Sequence, residues 1–84
     1  MPFWTERQLL NVGEREDGQP VDFYWERHYH TVTRLSRHWR VHLDWWQPTE
    51  LWRDYWEVTT DTGLLCVIYH DLIRDEWALE RIYP

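Results

Sequence analysis

Between His28 and Leu43 the side chains largely alternate in character. The even positions are His28, His30, Val32, Arg34, Ser36, His38, Arg40 and His42; the odd positions are Tyr29, Thr31, Thr33, Leu35, Arg37, Trp39, Val41 and Leu43. In extended backbone, successive side chains leave opposite faces. A strand here would therefore gather a mostly apolar row on one face and an arginine–histidine row on the other. The run is long for a single strand, so a bend or bulge is expected near Ser36. A helix from Leu35 to Leu43 is the rival reading. It would group Leu35, Trp39 and His42 without giving a cleaner apolar stripe.

The remaining segments follow the same period. Leu9, Leu10 and Val12, a turn at Glu16-Asp17-Gly18-Gln19-Pro20 and then Val21 to Trp25 read as one hairpin. Tyr55 to Thr60, rich in aromatic and β-branched residues, precedes the turn signal Asp61-Thr62-Gly63 and the apolar run Leu64 to Tyr69. That pair reads as a second hairpin, whose apolar member is covered on both faces. Arg74-Asp75-Glu76 breaks the chain before Trp77 to Tyr83 alternates again, and Gln47-Pro48-Thr49-Glu50 marks a loop between the halves. The fold class that follows is all-β: one domain over residues 1–84, a small curled antiparallel sheet or SH3-like barrel of five to six short strands. Trp25, Tyr55 or Trp56, Val67 and Leu79 are expected in its core.

Composition narrows the function. Eight Trp, five Tyr and two Phe, against only three Gly, exclude a disordered tail or flexible linker. The single cysteine, Cys66, lies in an apolar run and reads as a buried, inert thiol. A small aromatic-rich domain without a disulfide suggests a reducing compartment. Trp4, Thr5 and Glu6 stand where a secretory leader would need a basic region and an apolar stretch. The apolar run Leu64 to Tyr69 is too short to span a bilayer. The expected location is the cytoplasm. A lone serine, Ser36, and three scattered glycines provide neither a nucleophile elbow nor a phosphate loop. His28-x-His30 and His38-x-x-x-His42 have metal-ligand spacings, and Asp71, Asp75, Glu76, Asp54 and Glu57 could pair as acids. Neither set carries a specific spacing, and exposed polar faces explain both. No enzyme, metal or cofactor is expected.

Charge is unevenly spread. The net charge is −6, from 15 acids against nine basic residues, all Arg. Residues 1–42 hold six acids and six Arg, whereas residues 43–84 hold nine acids and three Arg. Arg27 to His42 contains four Arg, four His and no acid, which makes it a basic strip in an acidic protein. If the strand is regular, Arg34, His38, Arg40 and His42 share its outward face. Trp45 and Trp46 adjoin, so extended backbone would turn one of them outward. These six residues are the expected binding surface, since Trp and Arg are enriched in interface hot spots. A non-catalytic interaction module with an acidic protein partner is the leading expectation. Single-stranded nucleic acid is the alternative, because Arg meets phosphates and aromatic rings stack on bases. The strip's arginines could instead be neutralised by acids of the second half.

The order of aromatic elements also resembles a known pattern. Phe23-Tyr24-Trp25 before a short turn and Tyr29, Leu35 with Trp39-Arg40, the Trp45-Trp46 pair, Tyr55-Trp56-Glu57-Val58, Tyr69-His70-Asp71-Leu72 and Trp77-Ala78-Leu79-Glu80-Arg81-Ile82-Tyr83 follow one another over roughly residues 20–84. This resembles an uncharacterised bacterial domain-of-unknown-function family of small proteins, often encoded beside cassettes for error-prone, damage-induced DNA polymerases. Glu26-Arg27 stands where that pattern has an Arg-Gly turn, and His70 where it has Arg. The resemblance implies a protein-binding accessory in DNA damage tolerance, with a polymerase-associated factor as a possible partner class. It brings no catalytic residues.

Overall fold

A computed structural model of the chain describes residues 8–43 and 50–83. Six strands follow one another: β1 (Gln8–Glu14), β2 (Pro20–Trp25), β3 (His28–Leu43), β4 (Leu51–Thr60), β5 (Leu65–Asp71) and β6 (Glu76–Tyr83). Each pairs antiparallel with the next, and β1 closes the ring on β6, giving an all-β barrel in sequential order. Among the described residues no helix is long and apolar enough to cross a membrane.

Local sequence explains the turns. Gly18 and Gly63 take positive φ, at 88° and 84°, in the β1–β2 and β4–β5 turns. An L-side chain resists that conformation. The Gly63 amide donates to the Thr60 carbonyl at 3.0 Å and the Gly18 amide to the Arg15 carbonyl at 2.9 Å. Between β5 and β6 the Asp71 carboxylate accepts the amides of Ile73 and Arg74, at 3.0 and 3.1 Å, an Asx turn that reverses the chain. The β2–β3 turn is tighter. Only Glu26 and Arg27 link the strands, and both have positive φ, 50° and 65°, as the two-residue primed turn demands.

Two strands divide their length between their two neighbours. β1 pairs with β6 through Gln8–Leu10 and with β2 through Asn11–Glu14. β3 pairs with β2 through His28–Thr31 and with β4 from Val32 onward. This sharing curls the sheet. β3 is a strand throughout, so the helical reading of Leu35–Leu43 does not hold, and two register shifts fall at Thr33 and Ser36. The expected bend near Ser36 is thus the second of two bulges.

The interior is lined by Leu10, Phe23, Trp56, Val58, Cys66, Ile68, Trp77 and Leu79, with Val12, Trp25, Val32, Leu35, Leu64 and Ile82 packed around them. Of the expected core, Trp56, Val67 and Leu79 are buried and Trp25 is half-buried. Val67 is buried on the outer face instead, opposite Glu57 and Arg81. β5 is covered on both faces, as its continuous apolar run predicts: Cys66 to Tyr69 are all buried. In β6 the register shift skips Glu80, so Ile82 rather than Arg81 faces inward opposite Cys66.

Candidate functional site

The expected binding residues lie on β3, and the bulges decide where each points. Before Thr33 the even positions face inward: His30 and Val32 lie opposite Phe23 and Thr60. After the first bulge Leu35 faces inward, opposite Val58, and Arg34 faces outward, opposite Thr59. The Ser36 bulge reverses the parity again. His38, Arg40 and His42 then stand opposite Trp56, Asp54 and Trp52 on the continuation of the inner face. Arg34 therefore does not share a face with His38, Arg40 and His42. Trp39, Val41 and Leu43 lie on the outer side rather than toward the core. Trp45 and Trp46 lie outside the described residues.

The inner face of the β3–β4 hairpin is built of cross-strand pairs. The His38 ring stacks on Trp56 with centroids 3.6 Å apart and planes within 7°. The His42 ring stacks on Trp52 at 4.8 Å. His70, on β5, repeats the motif on Trp77 at 4.6 Å and 3°. Between the first two stacks, Arg40 donates twice to Asp54, from Nε to Oδ1 at 2.6 Å and from NH2 to Oδ2 at 2.9 Å. Such a two-pronged pair fixes both side chains. His38 Nε2 lies 3.6 Å from the same carboxylate. The Arg40 hydrogen bond holds the Asp54 carboxyl below the ordinary aspartate range against the opposing effect of burial, and the Arg40 and His38 charges add to the lowering. His42 is paired with Glu50. The strip's bases on this face are therefore neutralised by acids of the second half. Arg40 is a pinned guanidinium, not the free outward one that unbroken alternation predicts.

The outer face differs. Trp39 stacks on Tyr55 with centroids 5.3 Å apart and planes within 5°. The Arg37 guanidinium sits over the Trp39 ring at 4.7 Å, and that of Arg53 over Tyr69 at 4.3 Å. An open groove of about 290 Å³ runs over this face, between Arg37, Trp39 and Val41 on β3 and Arg81 and Tyr83 on β6. Arg37 reaches Glu57 only at 3.7 Å.

The ends of β3 are also distinct. Its pairing with β2 stops at Thr31 and its pairing with β4 begins at Val32. Among the described residues no strand covers the other edge of Val32–Leu43. Bulges interrupt that edge at Thr33 and Ser36, and from Arg37 to Leu43 it is regular.

Sequence reading missed Trp52, Asp54 and Trp56 as partners of the histidines and arginine. The signal is present in the chain: counting outward from the segment between Leu43 and Leu51 pairs His42 with Trp52, Arg40 with Asp54 and His38 with Trp56. The outer groove has no comparable local signal, because it joins β3 to β6.

Among the described residues no group of three His, Cys, Asp or Glu is placed to hold a metal ion. Comparison with known proteins returned no matching family model, no similar curated protein and no similar solved structure.

Proposed function

We propose that this protein is a non-catalytic interaction module that takes up a strand of a partner protein along the edge of β3. The edge from Arg37 to Leu43, regular and left uncovered among the described residues, carries the proposal. An extended peptide adds to such an edge through main-chain hydrogen bonds, and side chains on alternate faces supply specificity. Both flanks are prepared. On the inner side His38 and His42 are held flat against Trp56 and Trp52, and rings fixed before binding lose little entropy on contact. On the outer side lie Trp39 and Val41. The bulges at Thr33 and Ser36, with Arg34, Arg37 and Arg40 along the strand, disfavour pairing of the chain with its own copies.

The partner's chemistry follows from the charges. Because Arg40 and His42 already have acids, the inner flank calls for a mixed aromatic and polar strand rather than a phosphate backbone. The resemblance of residues 20–84 to proteins encoded beside error-prone polymerases supports a polymerase-associated factor as that partner, and DNA damage tolerance as the setting.

The test is affinity capture from the native cell, followed by amide exchange of the purified complex. Alternate amides from Arg37 to Leu43 should exchange quickly in the free protein and slowly in the complex. Exchange that is unchanged along this edge would refute strand addition. Replacing Trp52 and His42 by Ala should weaken the complex chiefly through faster dissociation.

A further inference from the structure

The outer face carries a second surface, independent of the β3 edge's hydrogen-bonding groups. Its floor is the parallel pair Trp39 and Tyr55, 5.3 Å apart at 5°. One wall is Arg37 on β3 and the other is Arg81 on β6, across a groove of about 290 Å³. Arg81 is exposed and forms no ion pair among the described residues. Arg34, the next outward position along β3, is exposed and likewise unpaired. The acids present are Glu57, which faces Arg37 at 3.7 Å and accepts from the Tyr83 hydroxyl at 3.3 Å, and Glu80 on the β6 bulge. Two arginines, Arg37 and Arg81, thus line the groove beside one lining acid, Glu80, in a chain whose net charge is −6. A local excess of guanidinium groups beside flat rings is unusual for this protein, and it suits an anion that carries planar groups.

We propose that this groove binds single-stranded nucleic acid, with a base stacking beside Trp39 and Tyr55 and the flanking phosphates meeting Arg37 and Arg81. Guanidinium forks match phosphate geometry, and aromatic platforms accept any base because every base has a π-face. A duplex keeps its bases stacked inside and offers only its phosphates. A protein strand would use the rings but would not need the two arginines. Glu80 opposes a phosphate, which sets the affinity as modest and gives the proposal a further handle.

The experiment uses the full chain and a fluorescently labelled oligothymidylate, read by anisotropy over a range of salt. Wild type should bind with a log–log salt slope of about −0.7 for each phosphate contact, so about −1.4 for two. Arg81→Gln should lower affinity and reduce the slope's magnitude by about 0.7. Glu80→Gln should tighten binding. Trp39→Ala should weaken it roughly tenfold or more, as expected for loss of a stacked base. Arg81 and Glu80 stand at the surface, so those two variants carry the test even if Trp39→Ala fails to fold, which circular dichroism would show. The proposal is overturned if wild type shows no salt-dependent binding to the oligonucleotide. It is equally overturned if Arg81→Gln binds as wild type does, or if duplex DNA of the same length binds as tightly. A protein captured through this groove with salt-independent affinity, and no oligonucleotide binding, would assign the surface to that protein instead.

Discussion

The closed side of the barrel and the projecting β3–β4 hairpin use the same inner face in opposite ways. On the closed side that face is sealed. His30 is buried, its ring stacked on Phe23 at 5.2 Å and its Nδ1 bonded to the Thr62 hydroxyl at 2.7 Å. Thr60 and Thr62 join the same network at 2.8 Å. Along the hairpin the face comes out into solvent, and His38, Arg40 and His42 are exposed there although their partners Trp56 and Asp54 are buried. One sheet thus changes from core to exposed surface along its length. The change happens where β3 loses β2 as a neighbour, because the ring that excludes water ends there. A strand longer than its barrel is an economical way to present rigid side chains, since the buried half anchors the exposed one.

The largest difference between the two regions should be chemical access. Cys66 is fully buried on the closed side, and burial pushes its thiol from 9.0 up to about 12. That alone lowers the thiolate fraction about a thousandfold at neutral pH. A thiol reagent should therefore label Cys66 only as fast as the protein opens, and labelling should follow denaturant. Rapid labelling in native buffer would break the contrast.

Core truncation comes next. Phe23 is 1% exposed at the centre of the closed side, so Phe23→Ala should cost about 3–5 kcal/mol in denaturant unfolding. Against a total of roughly 5–15 kcal/mol, that brings the domain close to unfolding. A loss under about 1 kcal/mol would mean the barrel interior collapses to fill the gap.

The hairpin's own anchor should matter less, and with pH. Asp54→Ala removes a buried carboxylate with two donors from a half-exposed guanidinium. The expected cost is about 1–2 kcal/mol at neutral pH, discounted for solvent around Arg40. Because the folded state lowers the Asp54 pKa, its contribution is present above the ordinary value of 3.8 and is lost as pH falls through the lower folded value. The stability gap between wild type and Asp54→Ala should therefore close in acid. A gap that widens on acidification would contradict the pairing.

A gain of stability is available on the closed side. Glu26 and Arg27 both hold positive φ, which side chains larger than Gly or Asn resist. The two-residue link between β2 and β3 enforces the strain. Replacing them with Asn and Gly should stabilise the protein by about 1 kcal/mol. No gain by thermal unfolding would show that the new turn loosens the unfolded chain as much as it relaxes the folded one.

The fold was legible because its signals are local. Period two, the glycines at Gly18 and Gly63 and the apolar run around Cys66 each act within a few residues. The site was only half legible. The residues His38, Arg40 and His42 can be picked out of the sequence, and the bend near Ser36 can be expected from the strand's length. What the bend does to the faces depends on how many residues are skipped, and each skipped residue reverses every side chain beyond it. Two bulges three residues apart put Arg34 outside and Arg40 inside. The Trp39–Tyr55–Arg81 groove depends on three strands coming together around the barrel, and no spacing in the chain encodes that directly.

The smallest expected effect is also the sharpest test of that reversal. Arg34 and Arg40 have the same parity and similar neighbours in the sequence, so a regular strand would make them equivalent. In the structure Arg34 is exposed beyond the Thr33 bulge, opposite Thr59, with no acid in contact among the described residues. Arg40 makes two hydrogen bonds to buried Asp54. Arg34→Ser should therefore change unfolding stability by no more than about 0.5 kcal/mol at any pH, as for an exposed side chain without a partner. Arg40→Ser should be clearly destabilising at neutral pH, because it leaves the Asp54 carboxylate in place without its donors, and that penalty should fade in acid as the carboxyl protonates. Denaturant melts of the two single variants at neutral and acidic pH measure both. Equal effects would return the two arginines to one face and remove the Ser36 bulge from the argument. An Arg34→Ser loss matching that of Arg40→Ser, with the same acid dependence, would further require a carboxylate partner for Arg34 that the register opposite Thr59 does not provide.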